Sequence, residues 1–278
     1  FITLCVLFSA IFSYYYAISQ VNYFQSDALL KIIDSSSTSS SRSASGYASL
    51  IGVNLGAGNS DKSDQIVATI KSKDFFEVII RNENILPSIA AATFFDMDSK
   101  LIIYNKSIYD PKTGFWVEGK KPSFLNSYNK FKGMLSVGIS KDTGFLKIKF
   151  EHVSPIFSKE IIDIIVSETN ILFKDQQFEE SSRALRYLEQ KLQTESVIEI
   201  RDSINALVTK NLATQMASDI NKDFILSYIE NAYIPENKSK PNKPLICILG
   251  TIIGFLISIF IVLTRYYLSN LKIEETSL

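Results

Sequence analysis

The chain of 278 residues carries 29 basic and 29 acidic side chains, so its net charge is zero and the cationic excess that nucleic acid demands is absent. His152 is the only histidine, so neither a multi-histidine metal site nor a serine–histidine–aspartate relay built on a second histidine can be assembled. Both cysteines, Cys5 and Cys247, fall in apolar end segments, which leaves everything between them without thiols, disulfides or cysteine metal sites and is compatible with an oxidising compartment.

Phe1–Ile18 (FITLCVLFSAIFSYYYAI) has no charge and closes on three tyrosines of the sort that settle at lipid headgroup level, so it reads as a first membrane span. A cleaved signal peptide would need a basic flank and a small-residue cleavage site, and neither is visible; the expectation is that a cytoplasmic leader and the first turn of this helix precede Phe1. Tyr23–Ile33 is a strand candidate leading away from the span. Asp34–Ser45 (DSSSTSSSRSAS) is too polar to offset its own ordering entropy and reads as a loop. Ser60 and Ser72 are helix-start residues, Asp74 and Glu77 fall in the first turn after Ser72, and the stretch to Ile85 fits two short helices.

Three stretches raise the question of chemistry. Asp96 and Asp98 in FFDMDSK sit among aromatics, as carboxylates lining a glycan-cleaving cleft would, but the stretch reads first as a turn. Gly114–Lys120 matches G-x-x-x-x-G-K, yet Lys121 stands where a phosphate-binding loop needs a hydroxyl, and Phe115 and Trp116 crowd a loop that must cradle phosphate with its backbone. Glu179–Glu180 and Glu274–Glu275 occur in charged surface contexts and read as solvated faces. No catalytic, cofactor-binding or metal-binding residue is assigned, and His152, beside a helix start, is read as structural.

Leu135–Glu151 gives the clearest strand signal: Val137 and Ile139, then Leu146, Ile148 and Phe150, alternate with small or charged residues around Asp142-Thr143-Gly144, which makes a half-buried hairpin. Ser154-Pro155 is an N-cap followed by proline at the first helical position, and neither glycine nor proline occurs from Ile156 to Ile234, a run that includes a return strand candidate at Phe224–Ala232. Apolar residues recur at Leu185, Leu188, Leu192, Ile200, Ile204 and Leu207 with charges between them, a stripe that needs a neighbouring helix. One helix from Pro155 to about Ile220 would span about 100 Å; a capping box at Ser196–Glu199 is the place where a second, antiparallel helix would start instead. Pro235, Pro241 and Pro244 disfavour helix ahead of them and describe a semi-rigid extended tether. It leads into Leu245–Leu263, 19 residues without a charge, nearly enough for a hydrocarbon core of about 30 Å. Gly250, Gly254 and Ser258 place small side chains on one face of this second span, for close approach of the first span or of another membrane protein.

The order of these landmarks resembles the Wzz-type polysaccharide co-polymerases, the bacterial chain-length determinants of O-antigen and related surface glycans. The resemblance covers almost the whole chain: the first span, SLIGVNLGAG (Ser49–Gly58), IYDPKTGFWVEGKKPS (Ile108–Ser123), SYNKF (Ser127–Phe131), TGFLKIKFEHVSP (Thr143–Pro155), the long helical segment, AYIPENKSKPNKP (Ala232–Pro244) and the second span with GTIIG. It implies an α+β fold in which a membrane-proximal α/β base carries a long protruding helix and is flanked by two transmembrane helices. In residue numbers the expectation is a first transmembrane helix at 1–19, a periplasmic base at 20–153, a helical protrusion at 154–222, a return strand and proline-rich tether at 223–243, a second transmembrane helix at 244–264 and a short cytoplasmic tail at 265–278.

The same resemblance implies a non-enzymatic regulator of polysaccharide chain length in the bacterial inner membrane. Its partners would be further copies of itself in a ring-like homo-oligomer, a membrane polymerase and the lipid-linked glycan, with no cofactor and no nucleic acid. Two other readings remain at this point: a membrane adaptor for a separate tyrosine autokinase in capsule or exopolysaccharide export, and a two-span extracytoplasmic sensor. The residues after Arg265 hold no nucleotide-binding motif, so a kinase would be a separate polypeptide.

Overall fold

A computed structural model describes residues 2–33, 59–82, 84–194, 202, 204–206, 208–209, 212 and 223–276. The loop at 34–45 and the SLIGVNLGAG stretch expected from the sequence lie outside the described residues.

The chain opens with helix α1 (Ile2–Ser19) and passes through Tyr23 into strand β1 (Phe24–Ile32). Helices α2 (Asn59–Ile70) and α3 (Lys73–Ile79) follow, the second capped by Ser72, whose hydroxyl accepts from the Phe75 N–H at 3.1 Å. Helix α4 (Ile85–Ala91) leads into two small hairpins, β2 (Ala92–Asp96) with β3 (Leu101–Tyr104) and β4 (Tyr109–Asp110) with β5 (Phe115–Trp116). Helix α5 (Phe124–Met134) then leads directly into β6 (Leu135–Ile139), β7 (Leu146–His152) and the long helix α6 (Pro155–Thr194). Strand β8 (Leu226–Glu230) and helix α7 (Lys243–Thr276) complete the chain.

Four strands form one antiparallel sheet in the order β6-β7-β1-β8. The hairpin read from Leu135–Glu151 is β6–β7, with Leu135 opposite Phe150 and Ile139 opposite Leu146, and its turn depends on Gly144, whose φ of +70° a side chain would oppose. Along β1 and β7 burial alternates with period two, so Phe24, Ser26, Ala28 and Leu30 share an inner face with Leu146, Ile148, Phe150 and His152. Helices cover that face only. Phe157, Ile161, Ile162, Ile165 and Val166 of α6, Phe75, Phe76 and Ile79 of α3 and Phe131 of α5 fill the core against it. This is the two-layer α+β arrangement expected of an antiparallel sheet with one wet face. On the wet face Lys147 pairs with Asp27 at 2.7 Å. Burial works to raise the Asp27 pKa, but bonds from Lys147 and Tyr233 outweigh it and hold the carboxyl below its ordinary value.

Register gives the sheet two distinct ends. Phe24 pairs with His152 at one end, and Ile32 pairs with Leu226 at the other. Both α1 and α7 depart from the first, the anchor end. Helix α6 also starts there, capped by the Ser154 hydroxyl on the Phe157 N–H at 3.2 Å, and Ser158 donates to the Phe24 carbonyl at 3.1 Å. By Asn170 the helix has reached the far end, and its last buried core residue is Phe173. Residues 171–194 continue past the sheet for about 36 Å at about 1.5 Å per residue.

The side chain of Asn170 fixes the point to which the chain returns. Its Oδ1 accepts from the N–H groups of Ile225 and Leu226 at 2.9 and 2.8 Å, and its Nδ2 donates to the Leu226 carbonyl at 3.0 Å. The chain therefore leaves the base at residue 170 and is back at the same point by residue 225. Most of the stretch on which the one-helix and antiparallel-helix readings of the sequence differ, 195–222, lies outside the described residues.

Candidate functional site: the helix pair and its clasp

The residues singled out in the sequence fall into three places. Gly250, Gly254 and Ser258 lie on α7, along the line where it meets α1. A β-carbon added at Gly250 would fall inside the Ser13 side chain, and one at Gly254 would fall inside the Ser9 side chain. The partners on α1 are themselves four residues apart, Ser9, Ser13 and then the buried Ala17. Two rows of small residues thus let the backbones approach closely enough for side-chain hydroxyls to reach across, and Ser13 donates to the Ile246 carbonyl at 2.8 Å. Ser258 is buried at the far end of the row with its hydroxyl turned back to the Phe255 carbonyl at 2.7 Å. Large apolar residues of both helices, among them Phe8, Ile11, Phe12, Leu256 and Phe260, face outward and are exposed.

Among the described residues one helix is long and apolar enough to cross a membrane, Lys243–Thr264, with mean hydropathy 2.9. The described apolar part of α1, Val6–Ser19, is shorter than that measure requires. Helix α7 continues beyond the apolar stretch to Thr276, into the segment read from sequence as a tail.

The proline-rich segment is the second place. Between Pro235 and Pro244 the chain is bonded to the start of β1. The Tyr23 N–H donates to the Lys240 carbonyl at 2.9 Å and the Ser239 N–H to the Tyr23 carbonyl at 2.8 Å. From β7, Glu151 reaches the same point and accepts from Ser239 Oγ at 2.7 Å and from Lys240 Nζ at 2.6 Å. Pro235 is buried and Pro244 stands in the first turn of α7. The connections entering and leaving the base are therefore clasped to one another at the anchor end, and to the sheet through one carboxylate. Sequence reading missed the part that Glu151 and Tyr23 play here. The only local signal was that both sit where a strand begins or ends.

The third place is the apolar stripe, of which Leu185, Leu188 and Leu192 fall on α6. Leu185 and Leu188 lie on the part of the helix beyond the sheet and are partly exposed, and Ile204 is buried. The side chain of Leu192, and residues Ile200 and Leu207, lie outside the described residues.

The candidate chemistry resolves into structure. Asp96 accepts from the Asp98 N–H at 3.2 Å and from Ser99 Oγ at 2.7 Å and closes the β2–β3 turn. Gly114 and Gly119 have φ of +74° and +69° and flank the two-residue strand β5, so the G-x-x-x-x-G-K match lies in a hairpin and not between a strand and a helix. His152 is 1% exposed. Its Nδ1 accepts from the Ser154 N–H at 3.1 Å, which leaves Nε2 to donate to the Ser88 carbonyl at 2.9 Å, and Phe157 packs on the ring. Burial pushes its pKa down to about 4, so the ring is neutral and ties α4 to the first turn of α6. No group of three or more His, Cys, Asp or Glu side chains comes together as a metal site among the described residues.

No protein-family model and no curated protein matches the chain. Among solved structures it is similar to a full-length bacterial polysaccharide co-polymerase, at 12% identity over 97% of this chain and 94% of that one, with a TM-score of 0.42. It is also similar to a fragment of WzzB, the polysaccharide co-polymerase of Salmonella Typhimurium, at 12% identity over 79% of this chain and the whole of that one, with a TM-score of 0.35. Both are polysaccharide co-polymerases by description.

Proposed function

We propose that the chain is a non-enzymatic regulator of bacterial surface-polysaccharide chain length. It is held in the inner membrane by α1 and α7, with its base and the α6 excursion in the periplasm. It works as an oligomeric scaffold for a membrane polymerase and the lipid-linked glycan that this polymerase extends.

The observation that carries this reading is the direction of α6. The helix starts at the end of the sheet from which both anchors leave and runs the full height of the base to Asn170. It then continues beyond the base with Leu185 and Leu188 partly exposed, past the last residue of α6 that the core buries. A rod with an apolar stripe, standing away from its anchors, has other copies or a long polymer as its natural neighbours. The clasp at Tyr23, Lys240 and Glu151 supports the same reading, because a load on the base is delivered to both helices at once.

The test is deletion of the gene followed by gel separation of the surface polysaccharide. Loss of the preferred length, restored by supplying the chain in trans, is the expected result. An unchanged ladder would overturn the proposal.

A further inference from the structure

The two small hairpins are rooted at the anchor end of the base. Ser88 of α4 meets His152 through its carbonyl and the Tyr104 hydroxyl, 3.2 Å away, through its own hydroxyl. The Asn105 N–H donates to the Ala91 carbonyl at 2.9 Å. Rings then meet from Tyr104 to Tyr109, edge to face, and from Tyr109 to Trp116, tilted, with centroids 5.3 and 5.1 Å apart, so that β4–β5 packs beside β2–β3. His152 is paired with Phe24, one residue beyond the clasp at Tyr23 and five beyond the last residue of α1.

These hairpins turn apolar side chains outward. In β2–β3 the register puts Phe94 and Leu101 on one face and leaves Phe95 and Ile102 on the other, where Ile102 packs against the core. Phe94, Met97 and Leu101 are 49%, 54% and 62% exposed, and Phe115 at the start of β5 is 75% exposed. Among the described residues no other element of the base covers this face.

We infer that both hairpins lie against the phospholipid headgroup layer of the membrane that holds α7. The inference rests on the reading of α7 as a membrane span. The hairpins are rooted beside His152, at the end of the sheet from which the anchors depart; the exposed groups of this face are aromatic and long aliphatic side chains, and Tyr109 and Trp116 present rings with one polar edge, which is the composition that settles at a lipid interface. Lysines at 100, 106, 112, 120 and 121 extend from the same hairpins and can carry their ammonium groups up to phosphate while their stems lie on apolar surface. Four carboxylates, Asp96, Asp98, Asp110 and Glu118, stand among them, and those of Asp96 and Asp110 are occupied by donors of their own turns. With five cations against four anions, attachment depends on apolar area and hardly on salt or on anionic lipid. Asp98 at the tip keeps the hairpin flat on the headgroups, because a carboxylate driven into hydrocarbon would lose its hydration.

Trp116 is the only tryptophan in the chain and sits in β5, so its emission reports the position of the hairpins directly. The full chain would be reconstituted into phosphatidylcholine vesicles containing lipid spin-labelled just below the headgroup. The expected result is loss of most of the Trp116 emission, unchanged by added salt, and recovery of emission in Leu101→Asp and Phe94→Asp chains that still float with the vesicles. Flotation with Trp116 unquenched by lipid and open to aqueous iodide would overturn this inference alone. So would Trp116 shielded from both, since that would place a protein surface against the hairpins. A chain that failed to float would overturn the anchored reading and this inference with it.

Discussion

Gly254 of α7 lies so close to Ser9 of α1 that no side chain fits between them, and the same holds one turn earlier for Gly250 and Ser13. This contact fixes the spacing of the two helices. Gly250→Leu or Gly254→Leu is expected to separate them and to lower the unfolding temperature of the detergent-solubilised chain, whereas Ile252→Leu on the exposed face leaves it unchanged. The sharper form is a compensating pair. Gly250→Ala alone destabilises, and Gly250→Ala with Ser13→Gly recovers a large part of the loss, giving a coupling of about 0.5–3 kcal/mol in a double-mutant cycle. Additivity of the two changes would show that the helices do not meet there.

Asn170 supplies three hydrogen bonds to Ile225 and Leu226 in a buried position. Asn170→Leu is of similar size but leaves two buried N–H groups and a carbonyl without partners, at about 1–3 kcal/mol each when fully desolvated. The expected outcome is a base several kcal/mol less stable in denaturant titrations and early proteolytic cutting near Asp223–Leu226. Asn205→Leu, at an exposed position on the excursion, serves as the control. Equal behaviour of the two variants would remove Asn170 from its assigned role.

His152 makes the base sensitive to acid. Its folded pKa is about 4 against an ordinary value of 6.5, so between these pH values the unfolded chain binds a proton that the folded chain does not. Stability therefore falls as pH drops from 6.5 toward 4, by about 3 kcal/mol over the window. Asp27, held below the ordinary carboxylate value, contributes its loss at lower pH still. Denaturant unfolding at pH 7 and pH 5 measures the effect. A His152→Gln chain should show a distinctly smaller difference between the two, and an equal difference would assign the acid sensitivity elsewhere.

Much of the base was legible in the sequence because its signals are local. Alternation from Val137 to Phe150 around a glycine turn, Ser72 and Ser154 as caps, Pro155 at a first helical position and the apolar run after Pro244 each state their structure within a few residues. What escaped was set by contacts between distant residues. A lone asparagine inside a long helix gives no sign that it will hold residues 55 and 56 positions later. The serines of Phe1–Ile18 read only as small polar breaks until Gly250 and Gly254 were placed against them. Strands β4 and β5 have two residues each, too few to show any period. The proline-rich segment reads as a semi-rigid tether, but its bonds to Tyr23 and Glu151 come from residues far away in the chain and leave no mark in its own sequence.

Under the proposed function, variants of the clasp are expected to separate stability from function. The Glu151–Lys240 pair has a largely exposed lysine, and an ion pair of that kind contributes only about 0–1 kcal/mol. Glu151→Gln is therefore expected to leave folding and protein level nearly unchanged. Pro241→Ala with Pro244→Ala is likewise expected to shift the length distribution of the surface polysaccharide more than it shifts the amount of protein. A gel ladder identical to the parent in both variants would count against transmission through this segment.

The proposed function requires a water-facing base on the outer side of the membrane that holds α7. Because the two native cysteines lie in the apolar end segments, a Thr143→Cys chain places one reactive thiol at the exposed β6–β7 turn. Labelling with a membrane-impermeant maleimide, in cells whose outer membrane alone has been opened, should modify this cysteine as fully as it does after lysis. Modification only after lysis would put the base in the cytoplasm and contradict the proposed function.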